Sequence, residues 1–221
     1  MDTLALRPTA IRGAQTRDAL LDAAESLLAD HGFRAPSHRM IAGHAGVHVA
    51  LVNYHFSTKE LLFEAAVERR AARLSQLWLN ALDRVRRRPV VAVDDVLGAW
   101  WSPFDSLGPG DGESWNNYLC IVARLASAPD GDDLHARHFG HVDRAFLDVL
   151  AEAMPASARE DREAGFRYAR SLLGEVLLHR CGRTGGTCRP RGFREDDIGR
   201  LIHFLSSGIR GLRRALPAAA D

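Results

Sequence analysis

Apolar positions along the chain recur at the spacing of amphipathic helices, and no segment shows a strong strand pattern. The first helix is predicted from Thr16, which can cap it, to Gly32, which can end it in the left-handed conformation. Its apolar face includes Leu20, Leu27 and Leu28. The pattern therefore favours an all-α fold.

Two shorter helices follow the first one. Ser37 can cap a second helix that ends at Gly46. A third helix covers about residues 49–55 and is predicted to turn Leu51 and Val52 toward the core. Two short helices around a tight turn indicate a three-helix head with a helix-turn-helix.

A long helix is predicted after the head. Ser57 and Thr58 can cap it, and its apolar pattern continues to Pro89. A helix of about 30 residues spans roughly 45 Å, which is enough to connect two domains. Five further helices are predicted at about residues 93–107, 113–128, 134–154, 159–181 and 195–216. We therefore divide the chain into a flexible N-terminal arm (1–15), a helix-turn-helix domain (16–60) and a larger helical body (61–221).

Composition narrows the class of protein. The net charge of +1 means that any contact with nucleic acid must be local. Lys59 is the only lysine, and a compact cation at this position suits a phosphate group. Three cysteines show no disulfide spacing, and no apolar run approaches the roughly 20 residues of a membrane span. We therefore expect a soluble cytoplasmic protein without a membrane partner.

Several short motifs of the head match a known family. They are Ala23-Ala24, Gly32-Phe33, Ile41-Ala42, Ala45-Gly46-Val47, Tyr54-His55-Phe56, Lys59-Glu60 and Leu61-Leu62. Through them the head resembles the DNA-binding domain of the TetR family of transcriptional regulators. Residues 49–56, and more loosely residues 118–126 and 139–154, are similar to a subgroup that includes the fatty-acid-responsive regulator PsrA. The resemblance implies a DNA-binding regulator rather than an enzyme, and we expect no cofactor.

The third helix is expected to lie in the major groove of an operator, where side chains read base edges. Asn53 can pair with adenine through both amide atoms. Arg39 can pair with guanine, as the resemblance implies, or lie solvated on the surface. The predicted DNA-binding residues are Ser37, Arg39, His48, Val49, Ala50, Asn53, Tyr54, His55 and Lys59. Of these, Ser37, Tyr54, His55 and Lys59 are expected to hold phosphates.

The head also departs from the family pattern. Pro36, His38 and Met40 stand where other residue types are usual at the start of the second helix. His48 replaces a common serine and Asn53 a common tyrosine, so an operator sequence does not follow from the resemblance.

Other side chains of the head have two interpretations. Phe56 is expected to fill the core, and Tyr54 can do the same instead of contacting DNA. Arg7, Arg12 and Arg17 can form an arm that contacts phosphates, or a tail without a role.

A small head reads only a few base pairs, so we expect a homodimer on a palindromic operator. The last two helices are the candidates for the interface, although their apolar stripes can also be intramolecular core. The candidates on the first of them are Phe166, Ala169, Leu172, Leu173, Val176 and Leu177. On the last helix the stripe runs from Ile198 to Leu216, with small residues at Ser207, Gly208 and Gly211.

Large aromatic side chains of the body can enclose a cavity for a small molecule, or simply pack the core. We predict that Trp101, Trp115, Tyr118 and Phe139 contact a small apolar or aromatic effector. Binding of this effector would release a repressor from its operator by favouring a different arrangement of the body.

A rival hypothesis is an all-helical enzyme or metal-binding protein. His135, His138 and His141 recur every three residues on one predicted helix, and His179, Cys181 and Cys188 cluster around the last loop. We favour a structural or solvated role for both groups because no acid or cysteine pair with ligand spacing accompanies them. No metal site is therefore predicted.

Overall fold

The computed structural model describes residues 8–107, 113–127, 132–180 and 197–212. All regular secondary structure in these ranges is helical. The helices are α1 (Pro8–His31), α2 (His38–Ala45), α3 (Val49–His55), α4 (Lys59–Arg86), α5 (Val93–Ser106), α6 (Glu113–Ser127), α7 (Asp132–Ala153), α8 (Arg159–Arg180) and α9 (Asp197–Gly211). The prediction of an all-α fold is confirmed, as are the order and approximate bounds of the helices after α1.

Helix α1 begins earlier than predicted. It starts at Pro8, and proline is favoured at the first helical position because its missing N–H would have no partner there. Thr16 lies inside the helix, where its hydroxyl donates to the carbonyl of Arg12 at 2.9 Å. Thr16 is therefore not the cap. Residues 8–15, which the sequence assigned to a flexible arm, are helical, and residues 1–7 lie outside the described residues.

Local signals set both ends of α2. The Ser37 hydroxyl accepts a hydrogen bond from the Met40 N–H at 3.3 Å, which confirms the predicted cap. Gly46 ends the helix at φ 66°, a left-handed conformation that glycine adopts without a Cβ clash.

Helix α3 turns only one of its two predicted core residues inward. Val52 is fully buried, whereas Leu51 is 39% exposed. The prediction for Leu51 was wrong, because neighbouring side chains point about 100° apart around a helix and α3 has one narrow packed face. The other side of α3 faces solvent.

The head has a continuous core shared by α1, α2, α3 and the start of α4. Phe56 is buried in it, as predicted. The other main members are Leu20, Ala24, Leu28, Ile41, Val52 and Leu62.

Helix α4 connects the head to the body. The Thr58 hydroxyl caps it by accepting the N–H of Leu61 at 3.2 Å, and the helix runs without a break to Arg86. Its main neighbours are α1 in the head and α5 and α7 in the body, and it also touches α6. The predicted long connecting helix is therefore confirmed.

Two glycines of α8 allow its close packing against α6 and α9. A Cβ atom on Gly174 would lie 3.0 Å from the carbonyl oxygen of Ala123, so this glycine lets α6 and α8 approach. Gly165 has the same role toward α9, because a Cβ there would lie 2.9 Å from Cγ1 of Ile209. Helix α6 also packs on α1, which brings the body into direct contact with the head.

Within the described ranges, none of the helices combines the length and hydrophobicity that crossing a bilayer requires.

Candidate DNA-binding surface and effector site

The predicted DNA-binding residues all reach the surface. Helices α2 and α3, with the start of α4, carry them on the part of the head that the core does not use. Ser37, Arg39, His48, Val49, Ala50, Asn53 and Tyr54 are exposed, while His55 and Lys59 are half-buried. Side chains of this kind on the second helix of a helix-turn-helix can reach base edges and phosphates.

His48 has a structural role that the sequence pattern did not reveal. It is the N-cap of α3, and its Nδ1 accepts the N–H of Ala50 at 3.3 Å. An accepting Nδ1 carries no proton, so the proton of the neutral ring is on Nε2. The ring therefore offers one donor to another molecule while it holds the start of α3.

Asn53 is held by a residue that was not among the predicted site residues. The Oδ1 atom of Asn53 lies 2.8 Å from Nδ1 of His38, at the start of α2. Because an amide oxygen only accepts hydrogen bonds, Nδ1 is the donor in this arrangement. The only signal in the sequence was that histidine stands where the family usually has an apolar residue.

Tyr54 lies on the surface, where it can contact DNA, and not in the core. It is 81% exposed, and its ring meets the edge of the His55 ring at 5.1 Å between centroids. Phe56 fills the core instead and carries the Arg17 guanidinium 5.3 Å from its ring centroid. The phenol of Tyr54 is thus available to solvent or to a phosphate.

Lys59 is the first residue of α4 and is partly engaged within the head. Its ammonium donates to the carbonyl of Arg34 at 3.4 Å and lies 5.7 Å from the centroid of the Phe63 ring. An ammonium has three donors, so the contact with Arg34 is compatible with a further contact to a phosphate.

The basic arm is only partly described. Arg12 and Arg17 are exposed residues of α1 rather than members of a tail, and Arg7 lies outside the described residues.

A buried carboxylate joins α1 to α4. Glu25 is almost fully buried and lies 3.4 Å from both Arg69 and Arg70. Burial raises the pKa of Glu25 above its ordinary value of 4.5, although the two arginines oppose the rise. These charges fix the head on the connecting helix.

A second contact joins α1 to the body. Arg124 of α6 donates from Nε and Nη2 to the carbonyl of Ala29 and from Nη2 to that of Asp30. A cleft of about 270 Å³ opens beside this contact. Its walls are His31, Gly32, Phe33, Arg34, Arg124, Ser127, Glu175 and Leu178. The sequence pattern contained no signal for this junction.

The four aromatic residues predicted to contact an effector are all buried and form two groups. Trp115 and Tyr118 meet edge to face on α6, and the Tyr118 hydroxyl donates to the carbonyl of Val67 on α4 at 2.7 Å. Burial raises the pKa of Tyr118, so the phenol stays protonated. The guanidinium groups of Arg70 and Arg73 each lie 5.0 Å from the Trp115 ring centroid.

Trp101 and Phe139 belong to a second aromatic group, between α4, α5 and α7. Phe139 contacts Trp78, and Trp101 reaches the same group through Phe104. Among the described residues, ring contacts do not join this group to Trp115 and Tyr118. The structure therefore brings the four predicted residues together in pairs rather than around one point.

Most candidate interface residues on α8 are core of the single chain. Phe166, Ala169, Leu173 and Leu177 are buried. The prediction of an interface through them was wrong, because helical spacing marks an apolar face without showing which neighbour covers it.

Other apolar side chains on the same two helices are exposed. Tyr168 and Leu172, four residues apart on α8, are 55% and 48% exposed, and Phe204 on α9 is 70% exposed. We call these three residues the α8–α9 apolar face. Ser207 and Gly208 on α9 are also exposed. Small residues must be exposed if they are to let a helix of a second copy approach.

The histidines of α7 point to different partners. His135 is buried against Asp143, with Nε2 and Oδ2 2.9 Å apart, and His138 lies 3.9 Å from Glu64. His141 is exposed. Residues three apart advance about 300° around a helix, so His135 and His141 point about 120° apart.

No set of three His, Cys, Asp or Glu residues in the described ranges is arranged to hold a metal ion. Burial lowers the pKa of His138, which keeps its ring neutral. The cysteines at positions 181 and 188 lie outside the described residues. The geometry of α7 thus provides no support for the metal-binding hypothesis.

Comparison with known proteins identifies both halves of this architecture. The family model of bacterial regulatory proteins of the tetR family matches residues 20–66. The model of the tetracyclin repressor-like C-terminal domain matches residues 98–208. No curated protein matches the sequence.

Solved structures share the fold over almost the whole chain. A proposed transcriptional regulator from Pseudomonas aeruginosa PAO1 is 22% identical, with a TM-score of 0.55 and 93% of each chain covered. A TetR-like transcriptional regulator from Rhodococcus sp. RHA1 is 19% identical, with a TM-score of 0.55 and coverage of 90% and 98%. The fatty acid degradation regulator FadR from Bacillus halodurans is 16% identical, with a TM-score of 0.52 and coverage of 91% and 97%. At these identities the likeness concerns the fold alone.

Proposed function

This chain belongs to the TetR family of bacterial transcriptional regulators, and we propose that it is a repressor that a small apolar or aromatic effector releases from a palindromic operator. Members of the family bind operator DNA through the helix-turn-helix head and small molecules through the body. The observation that carries the proposal is the outer side of α3, where Asn53 and Tyr54 are exposed above a well-packed head core.

In the proposed complex α3 lies in the major groove. Asn53 and Arg39 contact bases, because an amide and a guanidinium can each pair with two atoms of one base edge. His48, Val49 and Ala50 lie at the start of α3, beside the base edges. Phosphate contacts come from Ser37, Tyr54, His55 and Lys59, which surround the reading helix.

Two heads are needed to read a palindrome, and we place the dimer contact at the α8–α9 apolar face. An exposed aromatic such as Phe204 loses contact with water when it packs against a second copy. Gly208 on the same helix has no neighbour within 4 Å of a Cβ position, so it would allow another helix to approach closely.

The effector is proposed to contact the aromatic residues of the body. Trp115 and Tyr118 are the better placed pair, because α6 also carries Arg124 and therefore touches α1 of the head. Trp101 and Phe139 are proposed as contacts from the neighbouring helices. An effector among these side chains must displace existing packing, and that is how it would change the arrangement of α4 and α6.

We further propose that the chain belongs to the subgroup of the fatty-acid-responsive regulator PsrA, on the basis of residues 49–56. A long acyl chain is an effector of the apolar class that the aromatic side chains suit. Fatty acids and acyl thioesters are therefore the first compounds to test, with aromatic carboxylic acids as the second set.

Selection of bound genomic fragments tests the DNA-binding part of the proposal. The wild-type protein should enrich a palindromic site, and the Asn53→Ala, Tyr54→Ala, Lys59→Ala triple variant should lose it while keeping its helical circular dichroism and its dimer. Val90→Ala, an exposed substitution between α4 and α5, serves as the control. Unchanged affinity of the triple variant for the selected site would refute the proposed reading surface.

The effector part needs two measurements on each compound. A true effector should raise the melting temperature and also weaken binding to the selected operator. A compound that raises the melting temperature without any change in DNA affinity is not the effector. If no fatty acid or aromatic acid does both, the proposed effector class is wrong even when operator binding is established.

A further inference from the structure

We infer that His38 fixes the orientation of the Asn53 amide and thereby determines which base the head prefers at the Asn53 contact. The inference rests on the proposed function, because it takes Asn53 as a residue that reads a base. His38 itself need not touch DNA. Its role is that of a positioning residue.

The geometry ties the two helices of the motif together through these side chains. His38 is the first residue of α2 and is half-buried, while Asn53 is exposed on α3. The distance from Nδ1 of His38 to Oδ1 of Asn53 is 2.8 Å, that of a well-formed hydrogen bond. The second nitrogen of the ring, Nε2, is buried and has no hydrogen-bond partner among the described residues.

The position of the ring proton follows from this environment. A proton on Nε2 would be a buried donor without an acceptor, which is costly. A proton on Nδ1 has the Asn53 oxygen as its acceptor. The neutral ring therefore carries its proton on Nδ1 and donates it to Asn53.

This donor fixes which side of the Asn53 amide carries the oxygen and which carries the nitrogen. The oxygen and nitrogen of an unrestrained asparagine can exchange places by rotation about the terminal bond of the side chain. Reversal here would set the Nδ1 proton of His38 against the amide protons, so it would lose a hydrogen bond. The oxygen keeps a second lone pair, and the nitrogen keeps both protons, for contacts to DNA.

A fixed order of acceptor and donor distinguishes the purines. Adenine presents a donor at N6 and an acceptor at N7 in the major groove, and these complement the oxygen and nitrogen of an amide. Guanine presents acceptors at both O6 and N7, so the fixed amide oxygen would face O6 of guanine. An amide free to rotate can turn its nitrogen toward guanine. His38 thus favours adenine at this contact.

A selection from randomised operators tests the inference with four single variants. In the wild type we expect adenine at one symmetry-related pair of positions, and Asn53→Ala should remove that preference. His38→Ala should reduce the preference for adenine over guanine at the same pair of positions by at least about fivefold. This is the smallest discrimination expected from one bidentate base contact. The base preferences at other positions should not change. His38→Gln, which retains a side-chain donor, should recover part of it. His44→Ala, at an exposed histidine on the same helix, should change nothing.

The double variant His38→Ala, Asn53→Ala separates positioning from independent contact. It should show the same base preferences as Asn53→Ala alone, because His38 is expected to act only through Asn53. Thermal melting of each protein is measured alongside, and His38→Gln carries the test if His38→Ala does not fold.

The possible failures are distinguishable. If Asn53→Ala loses the adenine preference but His38→Ala and His38→Gln both keep it, the inference is wrong and the proposed function stands. A uniform loss of preference at every position in the His38 variants would also overturn it, because that result indicates a purely structural role. If the wild-type protein enriches no operator, or Asn53→Ala alters no position, the proposed function or its Asn53 contact has failed, and the inference fails with it.

Discussion

Arg124 of α6 donates hydrogen bonds from Nε and Nη2 to the carbonyl oxygen of Ala29, at 3.1 and 3.0 Å. Ala29 lies in the last turn of α1, where carbonyl groups have no partner within the helix. The guanidinium also faces the negative end of the α1 dipole. One side chain of the body therefore caps the C-terminal end of a helix of the head.

Replacement of Arg124 by methionine should destabilise the protein. The substitution removes charge-assisted hydrogen bonds to Ala29 and Asp30 and leaves their carbonyls partly buried, so we expect the free energy of unfolding to fall by about 1–3 kcal/mol. Urea denaturation at a fixed protein concentration measures the loss. Arg84→Met, at an exposed position of α4, is the matched control and should change stability by less than about 0.5 kcal/mol. Equal stability of the two variants would show that the Arg124 contact contributes nothing.

The cap formed by His48 leads to a prediction about α3. His48→Ala removes the acceptor for the Ala50 N–H and should lower the free energy of unfolding by about 0.5–1 kcal/mol in the absence of DNA. His48→Ser restores a hydroxyl acceptor and should retain the wild-type stability. Hydrogen exchange of the Ala50 amide should be faster in His48→Ala alone. If the serine variant loses as much stability as the alanine variant, capping is not the reason.

The contact between α5 and α9 should make stability depend on pH. Asp94 accepts hydrogen bonds from three side chains of α9, namely His203, Ser206 and Arg210. Burial acts to raise the pKa of Asp94, but these partners outweigh it and hold the pKa at about 2, below the ordinary 3.8. Because the folded-state pKa is depressed, the stabilisation is fully present above about pH 4 and is lost as the pH falls through about 2.

Asp94→Asn isolates this contribution. At pH 6 the variant should be less stable than the wild type by about 1 kcal/mol, a figure that allows for screening of a partly exposed group. The difference should shrink as the pH falls from 4 toward 2, when the wild-type carboxylate becomes protonated. Urea denaturation of both proteins across this range checks the prediction. A difference that is independent of pH would mean that ionisation of Asp94 is not involved.

The α8–α9 apolar face should be required for self-association. Phe204→Glu and Leu172→Glu each place a charge on a surface that we expect to be buried between two copies, so each should shift the protein from dimer to monomer. Val90→Glu introduces the same charge at an exposed apolar residue outside this face and should leave the dimer intact. Sedimentation at several concentrations gives the oligomeric state. Dimers of unchanged affinity in both glutamate variants at the face would place the interface elsewhere.

The residue pattern predicted the architecture closely because helix boundaries depend on neighbouring residues. Ser37, Gly46 and Thr58 act through hydrogen bonds or backbone conformations within a few positions of themselves, and the structure uses all three as predicted. Thr16 was misassigned as a cap because its sequence context also suits an interior position. The hydroxyl of a threonine inside a helix can bond to the preceding turn.

Prediction of the site was less complete, because the side chains that hold it in place are distant in sequence. His38 and Asn53 meet only because α2 and α3 pack at the turn, and Arg124 and Ala29 are 95 positions apart in the chain. The same difficulty affects the apolar stripes: Leu172 and Leu173 were both candidates for the interface, yet the first is exposed and the second is buried.

The sequence by itself determined the all-α fold, the three-helix head with its reading helix, the long α4 and the family, because periodicity, caps and short motifs are local properties. Only the tertiary structure decided which apolar face remains open on α8 and α9, how the two pairs of body aromatics are grouped, and which partners hold Asn53 and α1. Those outcomes depend on the packing angles and separations of helices, which arise from the sum of many weak contacts and leave no local trace in the order of residues.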